Sequence, residues 1–176
     1  MQQLNIKTAT LGSFEAVMDF YYTLTDSMEH SAYHPGWIKD VYPTRDYIRD
    51  SLANGELFAG FADGVIVSSM VINCYSVKEY SQIHWHVSAT PREVLILHAL
   101  GVSSHMQGKG IGKQMVGYAI SRCRNAGAKA LRLDVLDTNT PAIKLYSSMG
   151  FEYLGVEKLF YYDTGLRDFH IFEMGL

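Results

Sequence analysis

Val102-Ser103-Ser104-His105-Met106-Gln107-Gly108-Lys109-Gly110-Ile111-Gly112-Lys113 decides the fold, because it carries the chain from the end of a strand into the start of a helix. Glycines at 108, 110 and 112 let the backbone turn its N–H groups toward one point. The helix N-terminus behind them adds partial positive charge, so a phosphate or pyrophosphate is the natural guest. A glycine-rich turn with no ligand would read the same way locally. Two common phosphate motifs fail on counting. A Walker A loop ending at Gly112-Lys113 needs glycine at 107 and Ser or Thr at 114, where Gln107 and Gln114 stand. A dinucleotide fingerprint starting at Gly108 needs a third glycine at the position of Lys113.

The pattern outward from this junction is that of alternating elements. Glu93 to Val102 reads as a buried strand, and Ile111, Met115, Ala119, Ile120 and Cys123 mark a helix that Gly127 ends. Lys129 to Leu136 is the next strand. Pro141 at a first helical position, a stripe of Ala142, Leu145, Tyr146 and Met149, and Gly150 beyond it predict another helix, followed by strands around 151–162 and 168–174. Toward the N-terminus, Leu57 to Ala62 and Val65 to Tyr75 are apolar runs joined by Asp63-Gly64, a hairpin signal. Before them, residues 13–29 carry helical spacing after a Ser13 cap, and Thr44 can cap a second helix through Tyr47, Ile48 and Leu52. The order ααββ-βαβαββ predicts an α/β chain with a mixed sheet and helices packed on it, as one domain over residues 1–176.

Composition narrows the function. The chain has 176 residues and 48% hydrophobic content, enough for one sizeable core. Fifteen Lys and Arg against 18 Asp and Glu give a net charge of −3. With no basic block along the chain, a dedicated nucleic-acid binder is not expected. Cys74 and Cys123 lie far apart without a CxxC, which predicts free thiols in a reducing compartment. No leader-like or membrane-length apolar segment is read, so the expectation is a cytoplasmic protein without membrane contact.

What the glycine junction does match is Gln-x-x-Gly-x-Gly at Gln107, Gly110 and Gly112, which resembles the acyl-CoA loop of the GNAT superfamily of N-acetyltransferases. A second segment, Asn139-Thr-Pro-Ala142-Ile-Lys-Leu-Tyr146-Ser-Ser-Met-Gly150-Phe151, is similar to the Asn-x-x-Ala-x-x-x-Tyr-x-x-x-Gly-Phe segment of the same superfamily. Ser104 departs from the proline that many members carry, which touches loop stiffness more than chemistry. The resemblance implies a GNAT-type acyl-CoA N-acyltransferase fold, with a central mixed, mostly antiparallel sheet flanked by helices. It also implies acetyl-CoA as co-substrate, no metal, and a small-molecule or peptide amine as acceptor, in a monomer or homodimer. The backbone of Leu100, Gly101 and Val102 would pair with the pantetheine arm beside a bulge, for which Gly101 is suited. The pyrophosphate would sit on the N–H groups of Gln107, Gly108, Lys109, Gly110, Ile111, Gly112 and Lys113. Asn139 would hydrogen-bond the pantetheine, and the helix through Ala142 would bring Tyr146 near the sulfur.

An amine attacking a thioester must be neutral, must lose a proton to a base, and leaves a thiolate helped by an acid. His98 is the leading base. It lies in Leu-His-x-Leu-x-Val, a string that the serotonin N-acetyltransferases of this superfamily share, and an ordinary imidazole pKa near 6.5 suits the task. Glu93 is the alternative, acting through water, and Tyr146 is the candidate acid. Each also has a plain structural reading, a strand histidine for His98 and a packing residue for Tyr146. His84-Trp85-His86 would place two imidazoles on one face of a strand, but no third metal ligand follows at diagnostic spacing. Tyr21, Tyr22, Tyr33, His34, Trp37 and Tyr42 form an aromatic group between the first helices, where the resemblance places acceptor pockets and packing alone predicts core. No Gly-x-Ser-x-Gly elbow is present. A CoA-binding regulatory or sensor module without turnover, and a transferase of a longer acyl group or to a non-amine acceptor, are the two rival functions.

Overall fold

A computed structural model describes residues 4–28, 31, 33 and 35–176. Its elements are β1 (Asn5–Thr8), α1 (Phe14–Met28), α2 (Arg45–Ala53), β2 (Leu57–Ala62), β3 (Val65–Asn73), β4 (Val94–Val102), α3 (Ile111–Asn125), β5 (Ala130–Leu136), α4 (Thr140–Ser148), β6 (Glu152–Tyr161) and β7 (Gly165–Gly175). They build one seven-stranded sheet in the order β1-β2-β3-β4-β5-β7-β6. Every neighbouring pair is antiparallel except β4 and β5.

Local chemistry explains most boundaries. The side chain of Thr44 accepts from the Tyr47 amide at 3.0 Å and starts α2. Asp63 and Gly64 both have positive φ, as a two-residue turn between β2 and β3 requires. Ser13, expected as a cap, instead ends a 3-10 turn over Leu11–Ser13 that runs straight into α1; position 29, the expected end of that helix, lies outside the described residues. Asn139, rather than Thr140, flanks α4, so Pro141 falls one place later than its spacing predicts. The strand β1 was not expected, because Asn-Ile-Lys-Thr offers a single apolar residue; pairing with β2 forms it, with Thr8 opposite Phe58. His84-Trp85-His86 lies outside every strand, in the connection between β3 and β4. Here the backbone is held by side chains instead of a ladder. The Glu173 carboxylate accepts from the His86 and Val87 amides and from Arg132, and Arg132 stacks 4.1 Å from the Trp85 ring centre.

The core forms on both faces. Met18, Tyr21 and Leu24 of α1 and Ile48 and Leu52 of α2 pack on Leu57 and Val71. Met115, Val116, Ala119 and Cys123 of α3 pack on Leu131, Leu133 and Phe172 from the other side.

In β4 the two faces exchange parity. Leu95 and Leu97 pack toward α3, but beyond Ala99 it is Leu100 and Val102 that do so. One extra residue is inserted, since β3 pairs His98 with Val71 and Gly101 with Ser69, leaving Ala99 and Leu100 opposite Met70. The bulge therefore lies at Ala99, whose φ is 50°, and not at Gly101 as expected. Gly101 is constrained by packing: a Cβ there would stand 2.6 Å from Leu24 Cδ2 of α1. The Tyr21 hydroxyl donates to the Ala99 carbonyl at 2.8 Å and holds the bulge from beneath. Tyr21→Phe leaves that buried carbonyl unpaired, and chemical denaturation should show a loss of about 1–3 kcal/mol. An unchanged midpoint would mean the bulge holds without it.

Candidate active site

The bulge ends the pairing of β4 with β5. Their parallel ladder runs from Val94 opposite Ala130 to Ile96 opposite Arg132 and goes no further. Past that point the strands part. Backbone groups facing such a gap need partners, so an extended ligand with amides of its own is a natural occupant. α3 starts just after β4 and α4 just after β5, which directs two helix N-termini at the opening.

Two cavities share this opening. The larger, about 850 Å³, is walled by Leu100, Gly101 and Val102, by the whole turn from Gln107 to Lys113, and by Asn139, Ala142 and Tyr146. Every residue that the sequence assigned to cofactor binding thus lies on one surface. Gly108 and Gly110 have φ of 74° and 80°, a region that only glycine enters freely, and Gly110 directly precedes α3. Gly112 serves packing as well, since a Cβ would stand 3.0 Å from Leu145 of α4. Gln107 ties the turn to its strand, its Nε2 donating to the Val102 carbonyl at 3.1 Å. No acidic residue lies in the first turn of α3. Asn139 caps α4, its side-chain oxygen accepting from the Ala142 amide at 3.4 Å.

The smaller cavity, about 100 Å³, lies where β4 and β5 part and is walled by Leu97 to Leu100, Asp134 to Leu136, Tyr161 and Asp163. Trp37, Asn139, Ala142 and Tyr146 line both cavities, so the two meet there. His98 is in the wall of the small cavity, and its Nε2 is buried with no hydrogen-bond partner among the described residues. Burial lowers its pKa from 6.5 to about 4, opposed by a hydrogen bond with the Tyr75 backbone. The ordinary value expected from sequence is therefore wrong for this environment, because a buried imidazolium loses its hydration. Burial likewise raises the Tyr146 phenol above its usual range, helped by the charge of Asp134, so it stays protonated as a donor. Its ring packs against Phe151 and Phe172.

Glu93 is elsewhere. It lines neither cavity. Its carboxylate meets Lys129 at 2.8 Å and closes a capping box with Thr90. These partners, Lys129 first, pull its pKa down to about 2. That position supports an anchor at the start of β4 rather than a proton acceptor. Of the aromatic group, Tyr21 is core, Tyr33 and Trp37 line the large cavity, and Trp37 and Tyr42 line the small one. Tyr22 hydrogen-bonds Asp40 at the surface, and His34 lies outside the described residues. His84 and His86 meet edge to face with ring centres 6.1 Å apart, and His86 pairs with Glu152. Among the described residues no group of three metal-ligating side chains occurs, and no helix is long and apolar enough to cross a membrane.

Sequence reasoning missed Asp134, Tyr161 and Asp163. The available signal was a carboxylate between apolar neighbours, Leu133-Asp134-Val135, in a strand expected to be buried.

The histidine shift has a consequence for stability. The unfolded chain binds a proton at His98 below about pH 6.5, whereas the folded protein does so only near 4. Stability should therefore fall as pH drops through this window, by about 3 kcal/mol in the limit. His98→Gln removes this titration, so the denaturation midpoint of wild type should fall relative to that of the variant as pH drops from 7 to 4. Parallel pH curves would place the imidazole in water.

A mixed sheet whose central strand bulges away from its parallel neighbour, with a glycine turn at a helix N-terminus beneath the gap, defines an acyltransferase architecture. The chain belongs to the acetyltransferase (GNAT) family, whose sequence profile matches residues 18–151. It is 33% identical over 82 residues to streptothricin acetyltransferase of Streptomyces lavendulae, covering 47% of this chain and 43% of that protein. It is 31% identical over 83 residues to mycothiol acetyltransferase of Corynebacterium glutamicum, covering 47% of this chain and 28% of that one. The match thus spans less than half the length of these relatives. Among solved structures, a GNAT-family acetyltransferase of Streptococcus agalactiae superposes with a TM-score of 0.80 at 16% identity, over 99% of this chain and 96% of its own. The structure of yncA from Salmonella typhimurium, solved with acetyl-CoA, gives 0.70 at 17% identity, over 99% and 95%. At these identities the likeness is one of fold.

Proposed function

We propose that the chain transfers an acetyl group from acetyl-CoA to a primary amine by direct attack in a ternary complex. The observation that carries this reading is the junction of the two cavities. A cleft of about 850 Å³ with a helix N-terminus in its wall opens into a smaller cavity lined by an imidazole whose Nε2 has no partner among the described residues. The acetyl group in particular is supported by the names of the two relatives and by the acetyl-CoA of the yncA structure.

In this mechanism acetyl-CoA supplies an activated thioester, and the turn from Gln107 to Lys113 holds its pyrophosphate. The free edge of β4 at Leu100 to Val102 and the Asn139 amide bind the pantetheine. The amine enters from the small cavity. As its nitrogen bonds the carbonyl carbon, His98 takes the proton at Nε2, and as the carbon–sulfur bond breaks, the Tyr146 hydroxyl gives its proton to sulfur. Leu97, Leu100 and Trp37 give this junction an apolar wall.

The test is thiol release from acetyl-CoA with polyamines, amino acids, aminoglycosides and peptide N-termini as acceptors. Amine-dependent release is expected. CoA binding with no release above buffer for any amine would make the chain a binding module instead.

A further inference from the structure

Resting on the reading above, we propose that the acceptor carries a fixed positive charge besides the amine that reacts, held by Asp134 and Asp163 beside the rings of Trp37, Tyr42 and Tyr161.

The small cavity holds two carboxylates. Asp134 accepts from the hydroxyls of Tyr80 at 2.6 Å and Tyr161 at 2.9 Å, both at Oδ2. Asp163 accepts from the Thr164 amide at 2.9 Å. Among the described residues neither carboxylate is in an ion pair. The cation on Asp134's own strand, Arg132, is committed to Glu173 at 2.9 Å. Each carboxyl is pushed above its ordinary range, by burial first, and Asp163 raises Asp134 further. Two desolvated acids in one small cavity are a site for a cation, because a charge placed with them offsets the cost of their burial and the repulsion of Asp163 on Asp134.

Aromatic side chains complete the lining with Trp37, Tyr42 and Tyr161, the residue types that attract ammonium groups through their ring quadrupoles. His98 lines the same cavity with a buried Nε2 that has no partner among the described residues, so the wall beside the carboxylates keeps a polar atom free for a ligand.

The carboxylates suit a second cation better than the reacting amine. That amine has to shed its charge before it attacks, and a carboxylate beside it would favour the ammonium form. Held on a second charge, the acceptor presents its other amine, free to lose its proton, to the junction by Asn139 and Tyr146. The acceptor class is then a small diamine or an amine with another fixed cation, and a free carboxylate on the acceptor would be repelled.

The probes are 1,4-diaminobutane, 1-aminobutane and 4-aminobutanoate, which share chain length and differ in the second group. Calorimetry on CoA-saturated protein should show the diamine binding about 10-fold or more tighter than the monoamine, with the anionic analogue weakest. Asp134→Asn should erase most of that advantage while leaving the monoamine within about 2-fold, and the half-buried Asp163→Asn should erase part of it without risk to the fold. Equal binding of diamine and monoamine would overturn the proposal, as would a preference unchanged in both variants. Joint loss of both amines in Asp134→Asn would place the reacting amine at the carboxylate and overturn it equally. Because amine binding is read apart from thiol release, absence of turnover would count against acetyl transfer and leave this result to stand or fall alone.

Discussion

His98→Gln is expected to lower turnover by about 10² to 10⁴-fold while leaving acetyl-CoA affinity unchanged. Glutamine keeps a polar group of similar reach but cannot accept a proton at neutral pH. The size of the loss follows from position: the imidazole lines the cavity that meets the cleft, and its Nε2 is not spent on another partner among the described residues. Its pKa near 4 leaves it neutral throughout the physiological range, as a weaker base than an ordinary imidazole. It also separates enzyme from substrate in the pH profile. An inflection between about pH 7 and 10 belongs to the acceptor's own ammonium and should survive in the variant, while the free-enzyme limb assigned to His98 lies near pH 4. A variant that keeps the wild-type rate with the same acceptor would make His98 a packing residue.

Tyr146→Phe should slow turnover by about 10²-fold, again with acetyl-CoA binding retained. Phenylalanine keeps the ring contacts with Phe151 and Phe172, so only the hydroxyl is removed. Burial keeps that hydroxyl protonated at any working pH, which is the state a proton donor to the departing sulfur needs. The effect should shrink with an acyl donor whose thiol is more acidic, because such a leaving group requires less help. Equal slowing with all donors, or none, would remove the acid role.

The sequence made the cofactor side of the site legible because its chemistry is local. A glycine turn entering a helix and an asparagine cap opening the next are each written in a dozen residues, and they converge on one cavity. The bulge was legible only in part. Alanine has no preference for positive φ, and Ala99 adopts it because β3 pairing on both sides and the Tyr21 hydroxyl require it. Gly101 was assigned to that bulge when its reason is the approach of Leu24. β1 was invisible because an edge strand with one apolar residue is made by its partner. The acid pole of the small cavity draws Asp134, Tyr161 and Tyr80 from distant segments, and no spacing connects them. The shift of His98 was hidden for a similar reason, since desolvation depends on what folds over a residue and not on its neighbours in the chain.

Gly108 decides whether the turn from Gln107 to Lys113 holds the pyrophosphate of acetyl-CoA. Its φ is 74°, and a Cβ there would meet nothing within 4 Å. Asparagine and aspartate are the side chains that best tolerate this conformation, and they differ by one charge. Calorimetric titration of acetyl-CoA into Gly108→Asn should show a modest loss, and into Gly108→Asp a loss about 10-fold greater or more that shrinks as salt is added. Equal affinities for the two variants at low salt would mean that no phosphate approaches this turn.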